Sequence, residues 1–155
     1  MCRRHDPRVL SIDEARAAIL AAVRPLGDEE VALAAAHGRV LAEDVAAAHD
    51  SPPFDNSAMD GFAVGSPGSE WAVVGESRAG HPHPGAIGEG EAVEISTGAV
   101  VPEGTFAVIP IERLTKSPAA GDFVSHRSPE SGANIRRAGE DLTAGATVLA
   151  KGTRL

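Results

Sequence analysis

Near the start of the chain, Ile12, Ala15, Ile19, Ala22 and Val23 fall on one stripe at helical spacing, the pattern of an amphipathic helix. Ser11-Ile12-Asp13-Glu14 forms a capping box ahead of it. The Ser11 hydroxyl can accept from the Glu14 amide while the Glu14 carboxylate reaches back to the Ser11 amide, so a helix is predicted to begin at Ile12. Pro25 cannot continue the hydrogen-bond ladder, which predicts a stop near Arg24 after about three turns. Beyond it, Glu30 to Leu33 reads as a short strand, Ala34 to Leu41 as a helical turn broken by Gly38, and Glu43 to Ala47 as an extended piece.

After Ala48 the pattern changes. Glycine and proline recur every few residues between short apolar runs, and Phe62 to Val64, Trp71 to Glu76, Ala92 to Ile95, Phe106 to Leu114 and Asp122 to His126 read as strands. The fold class predicted is α+β, mainly β. The tail, Ala146 to Leu155, returns to short apolar runs able to pair with the N-terminal segment.

Composition narrows the function classes. The 155 residues carry 14 Lys and Arg against 22 Asp and Glu, a formal charge of −8, which disfavours nucleic acid and anionic membranes as partners. A bound phosphate must therefore be held by local arginines or backbone amides. Aromatics are few and Tyr is absent, leaving the core to Ala, Val, Leu and Ile. Cys2 is the single cysteine, so no intramolecular disulfide forms and a reducing compartment is expected. No apolar run approaches the length of a membrane span, and the N-terminus leads into an amphipathic helix rather than a signal core, so the chain is expected in the cytoplasm.

Candidate chemistry concentrates in Ser51-Pro52-Pro53-Phe54-Asp55-Asn56-Ser57-Ala58-Met59-Asp60-Gly61-Phe62-Ala63-Val64. The prolines stiffen it, Asp55 and Asn56 can bond their own backbone, and Gly61 tolerates positive φ, so Asp60 is held on a rigid loop. Asp60 reads either as a cation ligand or acid-base group, or as the first half of an Asp-Gly turn. Thr97-Gly98-Ala99 follows a strand-like run, where a glycine lets amides converge on an anion beside the Thr97 hydroxyl. Arg136 and Arg137 stand beside Glu140 and Asp141, giving either an anion grip with a cation-holding acidic pair or a structural ion pair from Arg136 to Asp141. His81-Pro82-His83 lacks further ligands at a metal-site spacing and reads as a solvated loop, so no metal ligands are assigned. Ser57 lies outside a Gly-x-Ser-x-Gly elbow and is read as bonding loop backbone rather than as a nucleophile. Pro102-Glu103-Gly104 is a turn signature.

Three segments, Ser51 to Val64, Ile95 to Val108 and Asn134 to Gly145, resemble in order the N-terminal portion of the molybdopterin molybdenumtransferases, the family fused into gephyrin in animals. The resemblance implies a discontinuous small α/β domain, residues 8–45 with 145–155, around an inserted β-rich domain, 46–144, with residues 1–7 expected to be disordered. It implies insertion of molybdate into adenylylated molybdopterin during molybdenum cofactor biosynthesis, with Mg2+ required and a homodimer in the full-length context. Asp60, Thr97 and Asp141 are then the catalytic candidates, and Ser57, Gly98 and Arg136 the substrate-binding ones. Family members continue into a pterin-binding domain marked by a Gly-Asp-Glu motif, so a chain ending at Leu155 reads as a truncation that is inactive alone. The alternative is a standalone, non-catalytic binding or dimerisation module regulating a full-length paralogue.

Overall fold

The computed structural model describes residues 9–24, 26–116, 122–125 and 127–155. Cys2, the 1–7 stretch and His126 lie outside them. The chain divides into two compact units, one running to Ala42 and taking back Gly152–Leu155, the other Glu43–Lys151.

In the first unit, α1 spans Ile12–Ala22. The capping box is formed as expected: the Glu14 amide donates to Ser11 Oγ at 3.2 Å and the Ser11 amide to Glu14 Oε2 at 2.9 Å. Val23 is already extended, two residues ahead of Pro25, whose ring disfavours helical geometry at Arg24. The apolar stripe remains exposed at Ile12, Ile19 and Val23. Glu30 to Leu33 is not a strand; Leu33–Ala35 forms a short 3-10 turn instead. Among the described residues no strand pairs with 30–33, so the β-compatible composition has no ladder to join. The tail pairs with residues 38–41: the Gly38 amide donates to the Leu155 carbonyl at 2.8 Å, and the Leu41 amide to the Thr153 carbonyl at 2.9 Å.

The second unit holds the strands, which in chain order are β1 (Val45–Ala46), β2 (Asn56–Ser57), β3 (Gly61–Val64), β4 (Glu70–Ser77), β5 (Glu91–Ile95), β6 (Ala107–Pro110), β7 (Leu114–Lys116), β8 (Asp122–Ser125), β9 (Ile135–Arg136) and β10 (Thr147–Leu149). Strands β1 and β10 pair, β2 and β9 pair, and the other six form one sheet in the order β6-β3-β5-β4-β8-β7. Its pairings are antiparallel except β4 with β5.

The expected Phe106 to Leu114 strand is broken in two. Pro110 ends β6, Ile111–Arg113 make a 3-10 turn, and β7 starts at Leu114 on the opposite edge of the sheet. Proline has no amide to extend the ladder, and the chain turns there. Because three residues join the two edge strands, the sheet must curl strongly.

Both faces of the central strands are covered. Ala63, Val93, Ile95 and Val108 face one cluster with Ile87 and Ala99. Val64, Ala92, Ala107 and Ile109 face the other with Trp71. Register explains the split, since Ala63 lies opposite Val93 and Val108, and Val64 opposite Ala92 and Ala107. Double-sided burial is why β3 and β6 appear as continuous apolar runs without alternation.

Candidate functional site

Asp60 immediately precedes β3, and its two neighbours across the sheet fix it. On the β6 side the Ile111 amide donates to the Asp60 carbonyl at 3.0 Å. On the β5 side the Asp60 carboxylate reaches 37 residues along the chain: its Oδ1 accepts from the Thr97 amide at 2.7 Å and the Thr97 hydroxyl at 2.9 Å. Both residues are exposed. The Thr97 amide, with the hydroxyl second, holds the Asp60 carboxyl below its ordinary value of 3.8. Any stability this carboxylate lends is therefore present above the unfolded-state pKa and fades as pH falls through the depressed folded value. A carbon-13 titration of the Asp60 carboxyl is expected to show a midpoint below 3.8, and Thr97→Ala to move it upward. An Asp60 midpoint that ignores the Thr97 substitution contradicts the contact.

Gly61 does not serve the turn expected of Asp-Gly. It is the first residue of β3, and its φ is not positive. A Cβ placed there would lie 2.0 Å from the Ile109 carbonyl oxygen, so glycine is needed for the close approach of β6.

The three sequence segments lie side by side. The Ser57 amide donates to the Ala99 carbonyl at 3.1 Å, the Gly98 amide to the Ser57 carbonyl at 2.8 Å, and the Val101 amide to the Asp55 carbonyl at 3.0 Å. On its other edge β2 pairs with β9, Asn56 opposite Arg136 and Ser57 opposite Ile135. Further along, the Asp141 amide donates to the Ser51 carbonyl at 2.8 Å and the Gly139 amide to the Pro52 carbonyl at 2.9 Å. Asp55 pins this seam. Expected to bond its own backbone, it instead accepts from the Ala138 amide at 2.9 Å and pairs with Arg137. The Ala138 amide is the main reason its carboxyl lies below the ordinary range. Its partners are more than 80 positions away, and nothing local in the sequence announces them.

The amides of Thr97, Gly98 and Ala99 do not converge on an open anion site. They donate to Asp60 Oδ1, the Ser57 carbonyl and the Ser96 carbonyl. Gly98 does need its glycine for conformation, with φ of 79°, and it faces open space. Ser57 is 1% exposed, and its hydroxyl donates to the Met59 carbonyl at 2.6 Å. Arg136 Nη2 sits 2.6 Å from both Asp141 carboxylate oxygens, a contact that raises the guanidinium pKa. The ion-pair reading of these two residues is thus realised in the structure. Among the described residues no hydrogen bond or ion pair joins Arg136 or Asp141 to Asp60 or Thr97. His83 is half-buried against Gly75, where an added Cβ would come within 2.8 Å of the imidazole.

Among the described residues no three His, Cys, Asp or Glu side chains gather to hold a metal ion. Among the described residues Asp141 is paired with Arg136, Glu140 accepts from the Arg137 amide and Asp60 from Thr97, so the acidic candidates do not converge on one cation site. No helix among the described residues is long and apolar enough to cross a membrane.

A family model for the MoeA N-terminal region (domain I and II) matches residues 10–155. The chain belongs to this family. Within it, the molybdopterin molybdenumtransferase of Haemophilus influenzae is 39% identical over 152 residues, covering 95% of this chain and 37% of the relative. The molybdopterin molybdenumtransferase of Synechococcus elongatus is 40% identical over 159 residues, 95% of this chain and 39% of the relative. A crystal structure of the molybdopterin biosynthesis moeA protein from Pyrococcus horikoshii OT3 superposes with a TM-score of 0.72 at 36% identity, over 82% of this chain and 35% of that one. The chain thus spans about two fifths of the length of the MoeA relatives it matches. All three segments fall inside the MoeA N-terminal match.

Proposed function

We propose that this chain is the part of a molybdopterin molybdenumtransferase that presents the Asp60–Thr97 corner to adenylylated molybdopterin, contributing to molybdate insertion in molybdenum cofactor biosynthesis. The observation carrying the reading is the exposed, charged Asp60 locked to Thr97 by two hydrogen bonds across 37 positions. An exposed carboxylate fixed this way is preorganised, so its orientation costs no rearrangement when substrate arrives. Its depressed pKa makes it a weak base at neutral pH and a permanent negative charge. Asp60 therefore orients hydrogen-bond donors or positive charge on the substrate side, and Thr97 holds its direction.

The other candidates take supporting places. Asp141 keeps Arg136 charged and aimed, and the half-exposed guanidinium has donors left for a phosphate edge. Gly98 leaves open surface beside Thr97, and buried Ser57 ties the Asp60 loop from below. The Mg2+ the family resemblance implies would need ligands from outside this chain, and no step is assigned to it. The rest of the cleft comes from the remainder of the enzyme, in a homodimer from the partner copy.

On this reading the 155-residue chain alone releases AMP from adenylylated molybdopterin only at the background rate. Asp60-dependent turnover by the isolated chain contradicts it. The decisive test is molybdenum insertion by a full-length enzyme carrying Asp60→Asn; an unchanged rate removes the reading.

A further inference from the structure

The turn that carries Thr97 is fastened at both ends by one residue that the site above does not use. β4 ends at Ser77, which lies opposite Ile95 of β5 and is 0% exposed. Its carbonyl accepts from the Ser96 amide at 3.1 Å, where the turn begins, and its hydroxyl donates to the Val100 carbonyl at 2.8 Å, where the turn ends. Between these two ties the Ala99 amide closes the turn on the Ser96 carbonyl at 3.0 Å, and the Thr97 amide and hydroxyl reach Asp60 Oδ1.

The two ties differ in what they require. Any residue at position 77 supplies the carbonyl, whereas the hydroxyl depends on the side chain, and a buried hydroxyl is unfavourable unless it is bonded. Val100 lies beyond the end of β5, so the β4–β5 ladder does not secure it, and the Ser77 hydroxyl supplies the missing tie. Among the described residues no hydrogen bond joins Ser77 to Asp60 or Thr97, and its full burial keeps it out of reach of substrate. Its influence runs through the turn.

We infer that Ser77 is a positioning residue for the Asp60–Thr97 corner: its hydroxyl fixes the far end of the Ser96–Val100 turn, and with it the direction from which Thr97 donates to Asp60. The inference rests on the function proposed above and adds a residue to it. Without the hydroxyl the Val100 end comes loose from β4, and Thr97 visits positions from which its donors miss the carboxylate. The Asp60 half of the corner is tied separately, by the buried Ser57 hydroxyl donating to the Met59 carbonyl, so each half rests on its own buried serine.

The test compares Ser77→Ala with Ser66→Ala in the isotope-labelled chain; the second removes the acceptor of the Gly90 amide, at the opposite end of β3 from Asp60. In Ser77→Ala, hydrogen exchange at the Thr97 amide is expected to quicken by about tenfold, while the Val108 amide, bonded to the Ala133 carbonyl, exchanges as before. The Asp60 carboxyl midpoint is expected to move upward as its Thr97 donors lose their place. Ser66→Ala is expected to change neither. In a full-length enzyme Ser77→Ala is expected to lower kcat for molybdenum insertion by about fivefold and to leave KM within about twofold, because it alters the alignment of Asp60 and not a contact with substrate. If the alanine variant does not fold, Ser77→Cys, near in size with a weaker donor, is read for the same shifts. Thr97 exchange and an Asp60 midpoint that ignore the substitution, or that Ser66→Ala moves equally, overturn the inference. If full-length Asp60→Asn inserts molybdenum normally while Ser77→Ala still frees the Thr97 amide, the functional reading falls and Ser77 still sets the corner. If insertion depends on Asp60 and Ser77→Ala leaves exchange and midpoint unchanged, the inference falls alone.

Discussion

Asp60→Asn in a full-length enzyme is expected to lower molybdenum insertion by about 100-fold, the usual cost of losing one preorganised electrostatic group. The substitution is nearly isosteric. The Asn carbonyl oxygen can still accept from the Thr97 amide and hydroxyl that now reach Asp60 Oδ1 at 2.7 and 2.9 Å, so the corner keeps its shape and loses its charge. Thr97→Ala removes only the hydroxyl bond while the backbone amide remains, and is expected to cost about tenfold. Insertion rate and thermal unfolding should be measured on the same preparations. Full folding with a large loss of rate supports an electrostatic role. A rate within a few-fold of wild type for Asp60→Asn, with the fold intact, makes the corner structural only.

Gly61→Ala is expected to destabilise the β unit by about 3 kcal/mol or more, because the added methyl meets backbone rather than a movable side chain. The new Cβ would lie 2.0 Å from the Ile109 oxygen and 2.9 Å from the Ile109 carbonyl carbon. Relief requires prising β6 from β3, and both clusters lose packing because Val108 and Ile109 face opposite sides. Gly98→Ala is the informative comparison. It has open space around it but a φ of 79°, so its cost is the left-handed conformation alone, about 1–2 kcal/mol. Urea unfolding of both variants ranks them; an equal or smaller loss at Gly61 would show that the strands separate easily, contrary to the packing.

The same glycine shows how sequence and structure divide the explanation. In sequence, Asp60-Gly61 has the composition of a tight turn, and the freedom of glycine to take positive φ is the reason that comes to hand. In the fold, Gly61 is an ordinary strand residue whose missing side chain makes room for β6. The residue was recognisable as important from its place in the motif, but the cause lies with Ile109, 48 positions away. Asp55 behaves alike, since its partners at Arg137 and Ala138 are invisible until β2 meets β9.

Local chemistry was legible. Ser11 and Glu14 are three residues apart, so their capping box forms from a single helical turn and needs no other part of the molecule. The strands from Gly61 to Ile95 announce themselves because apolar runs bounded by glycine and proline have few other ways to hide their side chains. The fold class and the motif residues of the three segments belong to this level. What required tertiary structure was every relation between segments. Pro110 splits one apparent strand into two opposite edges, and the amides of Thr97, Gly98 and Ala99 are taken up by the Asp60 carboxylate and by backbone carbonyls rather than left open to an anion. The physical reason is range: caps, turns and alternation are decided by neighbours within a few residues, whereas a hydrogen bond across 37 positions depends on which strands have already paired beneath it.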